Sequence, residues 1–356
     1  MDYLAQYGLF LAEALTVIAG IALLLFLVAA LSQRRQRGDS GGHIELHNLN
    51  ERYDAMRDTL REALRDPALA REQVKADRKA RKKEDKASAR AARKQRRAGG
   101  ELQAPAPRLF VLDFDGDLRA SAVEALREEV TALLLQMGER DEVLLRLDSS
   151  GGLVHSYGFA ASQLQRLREA GHRLTVSVDR VAASGGYLMA CVADRIIAAP
   201  FAVIGSIGVI AQLPNFHRLL QKNDIDFELH TAGEYKRTLT LFGENTDKGR
   251  EKFVDELEET HALFKGFVRE RRPAVDVDRV ATGEIWYGQQ ALDVQLVDAL
   301  QTSDDFIQRH LDSHGVFEVE YVHKRSWQQK LGLAAEDALG RGLLRLWQAG
   351  TQRPRQ

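Results

Sequence analysis

The sequence predicts an α/β fold with a largely parallel sheet, preceded by one N-terminal transmembrane helix and a basic helical stalk. Three observations carry this expectation. Between Leu109 and Ala199, short apolar runs alternate with segments of helical spacing, as strands joined by helical crossovers do. Near the N-terminus, Ala14 to Leu31 is an 18-residue run without a charge. Between these two regions lies a stretch dominated by Lys and Arg.

A chain of 356 residues, 44% hydrophobic and 28% charged, has room for one sizeable globular domain plus extras. The formal net charge of −1 conceals an asymmetry, with positive charge packed into the first third. Cys191 is the one cysteine. That excludes an intrachain disulfide and a cysteine-rich zinc site, so the fold depends on its core.

Taken in order, residues 1–7 form a short tail and residues 8–32 the membrane helix. The apolar run includes Val17, Ile18, Leu23 to Leu25, Phe26 and Val28, and extending it back to Gly8 meets only Glu13. A bilayer core takes ~20 helical residues. A cleaved signal peptide fits less well. No Lys or Arg precedes the run, and the run exceeds the usual ~7–15 residues. Arg34, Arg35 and Arg37 follow at once, which by the positive-inside rule places the C-terminal side in the cytoplasm.

Residues 33–107 read as a charged stalk and linker. Gly38, Gly41 and Gly42 make a flexible joint. Leu46 to Leu69 has the spacing of a polar helix with a thin stripe of Leu49, Tyr53, Met56, Leu60 and Leu64, amphipathic or self-pairing. Lys75 to Arg97 holds twelve basic residues against three acids. No aromatic side chain is interleaved to stack on bases, so no nucleic acid is expected. A solvated stalk beside anionic headgroups gains roughly 1 kcal/mol per basic charge. Gly99, Gly100, Pro105 and Pro107 close the region.

The folded domain is expected over residues 108–322. Strands are predicted at Leu109–Phe114, Val143–Leu147, Leu174–Val178 and Arg195–Ala199. Helices are predicted at Ser121–Met137 and Tyr157–Ala170, with a short one before Arg195, a long one over Asn245–Arg272 and shorter ones to about Asp312. Residues 323–356 form a tail. Its stretch Ala338–Trp347 has the apolar spacing of an amphipathic helix, for a membrane surface or a subunit contact.

Candidate chemistry centres on Val181-Ala182-Ala183-Ser184-Gly185-Gly186-Tyr187. A serine between a strand and a helix start sits beside unpaired backbone N–H groups, which suit a developing oxyanion. Gly151 and Gly152 follow the strand ending at Leu147. They supply either further oxyanion donors, a grip on an extended substrate backbone, or a plain turn. A serine hydroxyl needs a base. His155, close to the glycine pair, is one candidate. Lys236, in Thr231-Ala232-Gly233-Glu234-Tyr235-Lys236-Arg237, is the other. A lysine of ordinary pKa, about 10.4, acts as a base only where desolvation disfavours the cation.

Five ordered stretches together resemble the signal-peptide-peptidase-A-like family of serine–lysine peptidases. They are Leu147–Val154, Asp179–Asp194, Pro200–Val209, His230–Asn245 and Ala281–Asp298, and the resemblance spans roughly Leu109 to Asp304. It implies a Clp-protease/crotonase-like spiral of ββα units. It implies Ser184 as nucleophile, Lys236 as general base and then acid, and Ser206 as the serine that orients the lysine. Backbone N–H groups of Gly185 and of Gly151 or Gly152 would hold the oxyanion. The expected activity is endopeptidase cleavage of extended peptides through an acyl-enzyme, without cofactor or metal. The resemblance also implies homo-oligomers with active sites at subunit contacts, and a bacterial-type inner membrane. Better-known relatives hold the peptidase domain outside the cytoplasm, against the charge rule. Two departures stand out. Ser150 replaces the usual proline, and Gln295 replaces a usual glycine, costing ~1–2 kcal/mol if its φ is positive. A crotonase-like acyl-CoA enzyme is the alternative on the same superfold, since the glycine loops suit a thioester oxyanion too.

Overall fold

A computed structural model of the chain describes residues 42–64, 79, 83 and 106–322. The expected membrane helix, the basic stretch apart from Lys79 and Lys83, and the C-terminal tail from residue 323 lie outside the described residues. Among the described residues no helix is long and apolar enough to cross a membrane. The chain divides into two units. Ile44–Glu320 holds nearly all of the described residues. The other, Met1–His43 with Tyr321–Gln356, falls almost wholly outside the description.

The elements run β1 (His43–Asn48), α1 (Leu49–Leu64), β2 (Arg108–Gly116), α2 (Val123–Leu134), β3 (Glu142–Ser149), α3 (Val154–Glu169), β4 (Arg173–Val178), β5 (Val181–Ala183), α4 (Gly185–Ala190), β6 (Arg195–Ala198) and β7 (Val203–Gly205). There follow α5 (His217–Lys222), α6 (Asp247–Arg271), α7 (Val277–Val280), β8 (Ile285–Tyr287), α8 (Gly288–Asp293), β9 (Ala299–Leu300), α9 (Ser303–His310) and β10 (Gly315–Val322). The main sheet has the order β1-β10-β2-β3-β4-β6-β9. The pairs β10–β2, β2–β3, β3–β4, β4–β6 and β6–β9 are parallel. At its C-terminal end β3 also pairs with β5, starting a side branch β5–β7–β8 in which only β7–β8 is antiparallel.

Strand alternation explains why the sheet is covered on both faces. In β2, Phe110, Leu112 and Phe114 enter the larger core while Leu109 and Val111 enter the smaller one. In β3, Val143, Leu145 and Leu147 join the first and Leu144 the second. The larger core takes Leu126, Val130 and Leu133 from α2 and Leu164 and Leu167 from α3. The smaller core is closed by Leu49 at the start of α1 and by Phe306 and Ile307 of α9. Cys191, just past α4, is fully buried. Its thiol contacts the Leu188 carbonyl at 3.3 Å, and burial pushes its pKa up to about 12.

One correction concerns the boundary at residue 108. The region expected to be stalk supplies β1 to the sheet and Leu49 to a core. Sequence pattern gave no warning, because β1 is an edge strand with no buried residue and only Ile44 and Leu46 as large apolar side chains. Backbone pairing rather than an apolar face holds such a strand.

Arg272, capping α6, is almost buried and makes a paired contact with Asp298 at 2.7 and 2.9 Å. Asp298 also accepts the Ile196 N–H, and Tyr187 donates to the Leu296 carbonyl at 2.9 Å. The long helix is thereby tied to β6 and to the back of α4.

From Ile210 to Gly243 the chain leaves the sheet in an excursion holding only α5. The Asn215 side-chain amide donates to the carbonyls of Thr240 and Gly243, at 2.9 and 3.0 Å, and Phe216 N–H donates to Leu241. These bonds close the two feet of the excursion. Between Ala211 and Phe242 no residue is buried. Phe216, Leu219, Ile225, Phe227 and Phe242 are all substantially exposed.

Candidate functional site

The side branch positions the serines. Ala183 in β5 pairs with Gly205 in β7, so Ser184 and Ser206 are the next residues on neighbouring parallel strands. Ser184 N–H donates to the Gly205 carbonyl at 2.8 Å. Ser184 has φ 52 and ψ −118, and Ser206 has φ 48, a region that non-glycine residues seldom occupy. At Ser184 the strand reverses directly into α4 and leaves the hydroxyl half-exposed.

The glycine loop after β3 is pressed against this turn. A Cβ on Gly151, which has φ +86, would lie 2.6 Å from the Gly185 nitrogen and 2.8 Å from the Ser184 Cβ. Only glycine allows that approach. Gly151 N–H donates to Ser149 Oγ at 3.1 Å. Among the described residues no partner is found for the N–H of Gly152 or Gly185. Of the two expected loop donors, Gly151 is thus engaged internally and Gly152 is free.

Beneath the turn lies fully buried Tyr157. Its ring fills the space a Cβ on Gly185 would need, 2.4 Å from that position. Its hydroxyl donates to the Asp117 carbonyl at 2.8 Å and lies 2.5 Å from Ser149 Oγ. Burial raises its pKa, and the Ser149 hydrogen bond only partly offsets this. Tyr157 and Ser149 act as a rigid bed for the serine turn. Sequence reasoning took Tyr157 only as the start of a helix.

Ser184 and Gly185 open onto a cavity of about 230 Å³. Its walls come from α3, through Val154 and Gly158, and from α6, through Thr260, Leu263, Phe264 and Phe267. The α6 residues fall at i, i+3, i+4 and i+7, which in sequence reads as an ordinary amphipathic stripe. His261 Nε2 lies 3.2 Å from the Ile207 carbonyl, tying α6 to the segment that follows Ser206.

Lys236 is placed differently. It is exposed, on the excursion, after a turn in which its N–H donates to Gly233. It does not line the cavity, and its amine has no hydrogen bond or ion pair among the described residues. Within one chain the two serines and the glycines come together and the lysine does not. His155 is exposed and also lies outside the cavity wall. Gln295 has φ 62, so the conformational condition attached to it is met. Ser150 is exposed beside the glycine pair.

Comparison with known proteins gives two family matches, Peptidase family S49 N-terminal over residues 2–164 and Peptidase family S49 over residues 166–316. The chain is 50% identical over 338 residues to the probable protease SohB of Haemophilus influenzae, covering 95% of this chain and 94% of that one. It is 47% identical over 307 residues to the probable protease SohB of Buchnera aphidicola subsp. Schlechtendalia chinensis, covering 86% and 99%. Among solved structures it is similar to a single-site mutant of the 1510-N membrane-bound stomatin-specific protease, with a TM-score of 0.39 and 12% identity, over 58% of this chain and 85% of that one.

Proposed function

Since this chain belongs to peptidase family S49 and is a protease, we propose that it is a membrane-anchored serine endopeptidase working through Ser184 and Lys236. The observation that carries this is Ser184 itself. It is a half-exposed hydroxyl in a strained turn, at the mouth of an apolar cavity, beside two unbonded N–H groups. The side branch of the sheet that holds it supports reading the fold as Clp-protease/crotonase-like.

Neutral Lys236 takes the Ser184 proton as the hydroxyl attacks the peptide carbonyl, with Ser206 orienting the amine. The N–H groups of Gly185 and Gly152 receive the oxyanion; removing one such donor costs roughly 10²–10³ in rate. The ammonium then gives its proton to the departing amine. Water, deprotonated by the same amine, releases the acyl group. Residues 8–32 anchor the enzyme in an inner membrane of bacterial type, and the basic stalk lies against anionic headgroups.

The amine loses its charge only in a dry setting, and one chain leaves Lys236 in water. An excursion with this many exposed aromatic and aliphatic side chains is a surface for burial against protein. We therefore take the lysine of each site to come from a second copy, whose excursion covers the serine turn. Single Ser184→Ala and Lys236→Ala variants should be inactive on extended peptides. When the two are co-expressed, turnover should return in roughly a quarter of the sites, as random pairing in a closed symmetric assembly gives. Near-normal turnover by Lys236→Ala alone overturns the dyad. Absence of recovery on mixing overturns the shared site.

A further inference from the structure

Of the glycines that line or abut the serine turn, Gly151, Gly152 and Gly185 are explained by packing. A Cβ on Gly151, Gly152 or Gly185 would lie 2.6, 2.1 or 2.4 Å from its nearest neighbour. Gly158 is different. It sits inside α3, its φ is not positive, and a Cβ there would meet nothing within 4 Å. Glycine inside a helix is unfavourable relative to alanine, so neither the backbone nor any neighbour within the chain accounts for it. What Gly158 does is leave one wall of the Ser184 cavity bare, across from the Leu263, Phe264 and Phe267 wall of α6.

We propose that Gly158 is a specificity-determining residue, setting the upper size limit for the apolar substrate side chain that enters the cavity next to the scissile bond. An apolar cavity of ~150 Å³ holds a benzene ring, so about 230 Å³ takes a side chain as large as phenylalanine. Val154, one helical turn before Gly158 on the same face, lines the same wall. With it in place, a branched residue at 158 leaves room only for small side chains. The substrates are therefore extended polypeptide segments with a bulky apolar residue at that position. This rests on the peptidase reading above.

The test uses the full-length chain in detergent and two peptides identical except for Phe or Ala before the cleaved bond. The readout is the ratio of kcat/KM for Phe over Ala in the unsubstituted chain, Gly158→Ala and Gly158→Val. Methylene-scale changes in an apolar subsite shift selectivity roughly 10–200-fold, so the ratio should fall about 10-fold or more in Gly158→Val, with Gly158→Ala intermediate. Gly158→Ala should melt no lower than the unsubstituted chain. An unchanged ratio, or equal loss on both peptides with reduced assembly, overturns the role of Gly158 and leaves the peptidase reading intact. Cleavage of both peptides by Ser184→Ala overturns the peptidase reading, and the inference with it.

Discussion

Among the described residues five non-glycines have positive φ, and two of them are Ser184 and Ser206, side by side at the ends of β5 and β7. Strain of this kind costs of order 1–3 kcal/mol per residue and persists only where the surroundings impose it. At Ser184 the surrounding groups are the Gly205 carbonyl, the Tyr157 ring and the Gly151 backbone, and at Ser206 the Glu284 carbonyl, which accepts its N–H at 2.7 Å. Gln295 shows the contrasting case. Its φ of 62 follows α8, its side chain is exposed, and its backbone alone is used, the N–H donating to the Leu292 carbonyl at 3.1 Å and the carbonyl accepting from Arg272 at 3.0 Å. Gln295→Gly removes ~1–2 kcal/mol of left-handed strain and adds back about 0.5–1 kcal/mol of unfolded-chain entropy. A net gain of up to about 1.5 kcal/mol is expected, read as a rise in urea midpoint at unchanged m-value. A lower midpoint would mean that the glutamine side chain has an unseen role.

At the scale of elements, Asp141 joins the α2–β3 loop to the first residue of β2. Nearly buried, it accepts the N–H groups of Arg108 and Gly138 at 2.9 and 2.8 Å and pairs with the Arg108 guanidinium. Burial alone would raise its pKa, but the Arg108 side chain and the two N–H groups together hold it below the usual carboxylate range. A depressed carboxylate stabilises the fold above its unfolded pKa, and that contribution disappears as pH falls through the folded value. Asp141→Asn should cost about 2 kcal/mol at pH 7, and the gap from the unsubstituted chain should shrink on acidification below about pH 4. A gap independent of pH would place the loss in packing.

The same scale shows what sequence pattern can carry. The apolar runs of β2, β3, β4 and β6 and the spacing of α2, α3 and α6 were legible, because each exceeds one period of its own structure. The three-residue strands β5, β7 and β8 are too short for any period, yet they hold both serines. The ordered motifs singled out Ser184 as the candidate nucleophile. That Gly151 donates to Ser149 and leaves Gly152 free depends on side-chain geometry that spacing does not encode. The motifs singled out Lys236 as the candidate base, but its exposure within one chain was not legible, since residue spacing does not encode solvent access on an excursion without a core.

At the scale of the whole molecule, the excursion is the feature that one chain leaves unfinished. Phe216 and Phe242 lie with ring centroids 6.0 Å apart, and Phe227 and Phe242 5.7 Å apart. This cluster is closed by the Asn215 clasp rather than by a core. Aromatic anchors of this type carry about 2 kcal/mol or more each in association. The double variant Phe216→Asp, Phe227→Asp should shift the purified protein toward monomer in light scattering and remove peptide turnover, with the melting of the sheet domain little changed. Full turnover by a monomeric variant would sink the shared-site reading.

The burial of Cys191 has a practical consequence. A lone thiol packed behind α4 with its pKa pushed to about 12 stays protonated near neutral pH and out of reach of water-borne electrophiles. The chain therefore comes with a silent background for thiol chemistry. A single cysteine placed on an exposed loop, at Ser150 or Ser313, becomes the one site that a charged maleimide can label. Applied to intact cells and then to opened ones, that reagent reports which compartment the catalytic domain faces.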